Sequence, residues 1–184
     1  MKYSFTIFTF LLFSLPLTAQ KYITKTGSIG FYSHTPAEDI KADNNQVASI
    51  LDVSTGNLVF MVLLKSFHCS KALMEEHFNE NYVESDKYPR STFNGKILDY
   101  SPIDPGKDGK KEVTVEGDLN IHNVTRKINV KGLIETTGGK INASSKFLIT
   151  PEDYNISIPN LVRDKIEKNI EVTVNIMYDA PLKK

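Results

Sequence analysis

Residues able to do chemistry are few in this chain. Its four histidines are His34, His68, His77 and His122, and its one cysteine is Cys69. No two histidines stand four apart, as a helical zinc site needs, and no cysteine pair accompanies them, so a metal is not expected. His68 and Cys69 are sequence neighbours and point to opposite faces if extended, which argues against a thiolate–imidazole pair. Glu76 and His77 are also adjacent, and adjacent residues on a helix do not face each other. There is no Gly-x-Ser-x-Gly elbow, phosphate-cradling glycine loop or dinucleotide fingerprint, so neither a cofactor nor catalytic residues are expected. A lone cysteine in an exported chain cannot form an internal disulfide. Cys69 is therefore read as a buried, inert thiol.

Export is the reading of the first residues. Lys2 gives a basic n-region, Ile7 to Leu15 an apolar run, and Leu17-Thr18-Ala19 a small residue at the cut, the pattern of a signal peptide over residues 1–19. The run is short for a membrane span and no stop-transfer segment follows, so no integral span is expected after cleavage. Residues 20–184 then form one domain, long enough for a real core. With 22 basic and 22 acidic side chains the chain carries no net charge, which disfavours nucleic acid as a partner.

The elements that must position any site are mainly strands. Val113, Val115, Leu119 and Ile121 alternate with polar neighbours, and period two puts each set on its own face. The same pattern recurs in Ile128–Ile134, Ile141–Ile149 and Ile170–Tyr178. Ile23–Ser33, Val47–Val53, Leu58–Leu64 and Thr92–Leu98 complete eight or nine strands. Ser54-Thr55-Gly56-Asn57, Asp108-Gly109 and Gly138-Gly139 supply tight turns, implying antiparallel neighbours and a sandwich or barrel. Leu58–Leu64 is apolar on both faces, so its outer face is either covered by a helix or loop or, in a second reading, set against a ligand. A helix capped by Ser70 is expected over Ser70–Asn79, with a second helical turn over Asn160–Lys168. His77 is placed at the helix–barrel junction, donating to a carboxylate or the backbone. Ser101–Lys111 reads as a surface loop, and Lys87-Tyr88-Pro89-Arg90 as a rigid turn rather than a contact to an anionic headgroup.

Two ordered blocks carry a resemblance. Met74-Glu75-Glu76-His77-Phe78 running through Lys87-Tyr88-Pro89-Arg90-Ser91-Thr92-Phe93, and Val115-Glu116-Gly117-Asp118-Leu119-Asn120-Ile121 through Val124-Thr125-Arg126, resemble the YceI-like family of lipid- or polyisoprenoid-binding periplasmic proteins, as does Phe31-Tyr32-Ser33-His34. The resemblance implies an all-β fold, an extended lipocalin-like antiparallel barrel of eight strands with one or two short helices. It also implies a periplasmic or secreted protein that binds, without catalysis, an isoprenoid or fatty-acyl lipid in its lumen. Asn123 stands where the family has glycine in a hairpin, the opening strand pair reads as short and lacks a Trp, and Asp153–Asn169 departs from better-known members. On this reading Phe31, Phe60, Val62, Leu64, Phe67, Leu73, Phe78, Phe93, Leu119 and Ile121 line the cavity, with His34 and His77 near a headgroup. An enzyme acting on such lipids, with His77 and Glu76 or Glu80 in its site, and a secreted structural protein with a packed lumen are the competing readings. Unpaired strand edges would offer a route to a homodimer.

Overall fold

Eight long antiparallel strands close on themselves. In the computed structural model, which describes residues 20–179 and 181, they are β1 (Lys21–His34), β2 (Asp39–Asp52), β3 (Asn57–Leu63), β5 (Arg90–Ile97), β6 (Gly109–Ile121), β7 (Val124–Thr137), β8 (Lys140–Ile149) and β9 (Ile170–Tyr178). A two-residue strand, β4 (His68–Cys69), pairs with Ala42 and Asp43 of β2. The order runs β1, β9, β8, β7, β6, β5, β3, β2 and back to β1. Every long strand has a neighbour on each side along part of its length, while Val124–Lys131 of β7 pairs with β6 alone. The signal peptide read over residues 1–19 lies outside the described residues.

Turn chemistry fixes the registers. Gly138 and Gly139, at φ 56° and 81°, join β7 to β8 in the left-handed pair of conformations that a two-residue hairpin needs. His122 and Asn123 take the same conformations, at φ 50° and 61°, between β6 and β7. Asn tolerates this region, which is how it replaces glycine there.

Three expectations need correction. First, the opening pair is not short, because β1 and β2 have 14 residues each and β2 starts at Asp39 rather than Val47. The pairing shifts register between Gly27↔Val47 and Ile29↔Asn44, and this bulge breaks the alternation by which the strand would be recognised. Buried Asn44 holds the bulge, donating from Nδ2 to the Leu63 carbonyl (2.9 Å) and accepting from the Gln46 amide (2.9 Å).

Second, Ser70 caps nothing. The α-helix, α1 (Ala72–His77), begins after Lys71 with no side-chain cap. Glu75 instead reaches back to accept from the Cys69 amide at 3.1 Å. Phe78–Tyr82 then widens into a π-turn, with the Val83 amide bonded to the Phe78 carbonyl. Between Ile149 and Ile170 the chain makes two 3-10 turns, Pro151–Tyr154 and Asn160–Lys165. Third, no helix or loop covers the outer face of the doubly apolar strand, since Val59, Met61 and Leu63 are exposed there.

The barrel's two ends differ. At the end marked by the β2–β3 and β7–β8 turns, Tyr22, Leu51, Ile97, Ile141, Ile176 and Tyr178 are buried to within a few per cent. The Tyr178 hydroxyl lies 2.6 Å from the Ser49 hydroxyl inside this plug. The loop after β5 closes it from below: Tyr100 donates to the Val53 carbonyl (2.6 Å) and accepts from the Ile103 amide (3.1 Å), so the segment read as a plain surface loop packs Ile103 under the core. Helical segments crowd the other end.

Candidate functional site: a blind apolar lumen

Inward side chains of the eight strands do not fill the barrel. A cavity of about 510 Å³ runs from the floor, where Tyr178, Ile97 and Leu51 border it, to the helical end, where Leu73, Met74, His77, Val162 and Ile166 do. That volume falls within the range of sites that enclose small molecules. On β6 the bordering residues run from Val113 to Ile121, roughly 26 Å along the strand at about 3.3 Å per residue.

Its wall is mostly apolar, and several of the hydroxyls that border it are committed elsewhere. Ser91 donates to the Asn120 carbonyl (2.7 Å), Ser145 to the Lys131 carbonyl (2.6 Å), and Ser33 accepts from the Glu167 amide (2.8 Å). Burial pushes the Tyr178 phenol up to about 12, so it stays neutral at ordinary pH. Among the described residues, Tyr178 is the ionisable group that borders the floor of the lumen.

Aromatic placement keeps the lumen open. Gly95 on β5 faces Gly117 on β6. A Cβ on Gly95 would come within 2.4 Å of the Phe93 ring, and one on Gly117 within 2.6 Å of it and 2.5 Å of the Gly95 backbone. The missing side chains form a notch in which Phe93 lies flat against the wall, a glycine covered by a neighbouring ring. Phe60 meets Phe93 edge-on at 6.1 Å. Nearer the mouth, Phe31, Phe67 and Phe78 cluster with centroids 5.0–5.5 Å apart.

Charges appear only at the mouth. Glu38, after the β1–β2 turn, accepts from Lys71 at the start of α1 (2.7 Å), and this bond, with the Lys71 and Lys165 charges, holds its carboxyl below the usual range. All three border the cavity. A second tie fixes the segment after α1: His122 Nε2 lies 2.6 Å from Glu84 Oε2, and its Nδ1 3.2 Å from the Tyr154 carbonyl. The Tyr88 ring packs edge-on against the imidazole at 4.6 Å. Thus His122, on a left-handed hairpin, clamps two loops around the mouth.

Of the twelve side chains singled out by sequence, eleven border this cavity and His34 does not. His34 is exposed and bonded through Nδ1 to Asp39, because outward and inward residues alternate and Ser33 takes the inner position. His77 is exposed at the mouth, and among the described residues no carboxylate or backbone partner meets its ring. Cys69 is half-buried rather than buried; it too borders the cavity, and burial followed by the Glu75 charge pushes its thiol up, away from the reactive thiolate. Sequence reasoning passed over the β7–β9 wall, including Val130, Ala143, Phe147 and Val172, although their alternation was plain. It also missed Glu38, Lys71 and Lys165, for which no local signal exists.

An eight-stranded barrel with one sealed end and an open apolar lumen is the architecture of a container. The chain belongs to the YceI-like family, whose domain matches residues 21–178. Among solved structures it is similar to a polyisoprenoid-binding domain from Saccharophagus degradans implicated in plant cell wall breakdown, at 17% identity and TM-score 0.73, covering 88% of this chain and 98% of that one. It is also similar to Burkholderia cenocepacia BcnA (11% identity, TM-score 0.71, 83% and 96% covered) and to the Campylobacter jejuni YceI protein (18%, 0.60, 82% and 90%). No curated protein matches the chain.

Proposed function

We propose that this protein is a non-catalytic carrier, exported after cleavage near Ala19, that holds one long isoprenoid or fatty-acyl chain in its lumen. The observation that carries the reading is the cavity itself: deep, mostly apolar, and with Ser91, Ser145 and Tyr178 already bonded to the wall. Such a space rewards a tail and offers a polar end nothing, so the ligand sits tail-first with its headgroup among Glu38, Lys71, His77 and Lys165. Each buried methylene contributes roughly 0.8 kcal/mol, so a chain of about ten carbons outweighs the cost of immobilising it. The family match and the polyisoprenoid-binding neighbour support the same reading.

Native mass spectrometry of protein purified from the exporting host without detergent tests it; the expected result is an added lipid mass. Leu119→Phe sharpens the test, because Leu119 borders the lumen. In a ligand-filled barrel the substitution lowers lipid occupancy and leaves apo stability little changed. In a solid core it costs about 1–3 kcal/mol. A clean apo mass, with no lipid-dependent shift in the melts of either protein, overturns the carrier reading.

A further inference from the structure

The three most exposed large apolar side chains among the described residues are Leu161 (89%), Leu148 (62%) and Leu73 (61%). All three stand at the open end of the barrel. Leu73 is on α1 and borders the mouth itself; Leu161 is on the Asn160–Lys165 turn, beside Val162, which borders it too; Leu148 is on the outer wall next to the end of β8. Exposed leucines scattered singly over a surface need no explanation, but here the apolar lumen continues outward onto its own rim.

Charge on the rim narrows what can cover it. Lys71 is matched by Glu38, Arg163 by Glu152 (3.1 Å) and Lys146 by Glu171 (2.8 Å). Among the described residues, Lys165 and Lys168 make no ion pair within 4.0 Å, and the same segments carry Glu76, Glu80, Asp164 and Glu167, also without one. The rim therefore has no cationic excess to draw it to an anionic surface.

We propose that this rim docks, mouth down, on the zwitterionic surface of a lipid bilayer, with Leu73 and Leu161 entering the headgroup–acyl boundary, so that a lipid tail passes between membrane and lumen without crossing water. The proposal rests on the carrier reading. Two leucine tips with Leu148 beside them give brief attachment rather than anchoring, as a carrier that must leave requires.

The test uses the mature chain, phosphatidylcholine vesicles and a fluorescent long-chain fatty acid as probe. Transfer from loaded protein should accelerate in proportion to vesicle concentration. Leu161→Glu should slow it about tenfold, the loss expected when one leucine no longer enters an apolar phase. Leu73→Glu should slow it as well, while Leu161→Glu melts like wild type and takes up the probe from solution to the same extent. Added anionic lipid or salt should change the rate little. Transfer independent of vesicle concentration, or unchanged in both variants although all three proteins carry the probe, overturns docking and leaves the carrier reading intact. A rate that climbs steeply with anionic lipid overturns the neutral surface. Loss of a wild-type dimer in Leu161→Glu, seen by sedimentation, reassigns the rim to a second copy of this chain. Failure of wild type to take up any probe overturns both readings together.

Discussion

The floor and the mouth of this barrel are built from the same strands by opposite means. At the floor, tight turns, regular alternation and side chains buried to a few per cent make a seal in which Tyr178 and Ser49 satisfy each other. At the mouth, a π-turn and two 3-10 turns leave leucines in solvent, and charged side chains hold their loops. Buried packing resists change because every lost contact leaves a cavity; exposed ion pairs contribute little and give way readily. Stability is concentrated at the sealed end and compliance at the open one, where on the carrier reading a ligand passes.

The sharpest way to break this contrast is at the floor. Tyr178→Ala removes a buried ring and strands the Ser49 hydroxyl, and should cost about 3–5 kcal/mol in urea unfolding. Leu161→Ser at the mouth should stay within about 0.5 kcal/mol. Equal losses would mean that the two ends share one cooperative core. Gly95→Ala should come next, because its Cβ would collide with the Phe93 ring. Turning the ring off the wall should cost about 1–3 kcal/mol and reduce lipid occupancy in native mass spectra. A stability loss with full occupancy would show that the notch does not set lumen width.

The smallest effect expected is one of pH. The hydrogen bond to His122, with the Lys87 charge behind it, holds the Glu84 carboxyl below its ordinary value. A carboxylate whose pKa is depressed by folding adds stability above its unfolded pKa, about 4.3, and loses it as pH falls through the folded value. Amide protection factors in residues 83–88, taken relative to intrinsic exchange at each pH, should therefore fall as the pH drops below about 4, with those of the floor strands unaffected over the same range. His122→Ala should remove that pH dependence at the mouth.

How much of this could be read from sequence follows the same division. Strands β6 to β9 alternate cleanly and end in recognisable turns, so their existence and inward faces were legible, as was the aromatic and aliphatic lining. The bulge at Asn44 shifts the alternation by one and hid half of β2. The helix start was misplaced because Glu75, rather than Ser70, takes up a free amide. Glu38, Lys71 and Lys165 meet only through the closed barrel, which brings residues 33 and 127 positions apart to one opening. His34, expected near a headgroup, stands outside because its parity along β1 is opposite to that of Phe31 and Ser33.

The sealed floor has a consequence for traffic. A tube open at both ends can be driven in one direction, whereas a cul-de-sac empties only by reversing the path of entry. Whatever enters past Leu73 leaves past Leu73, polar end first, and no second molecule can push it out from behind. Net movement then depends on the relative appetite of donor and acceptor for the cargo, and the barrel, having no exit of its own, imposes no direction.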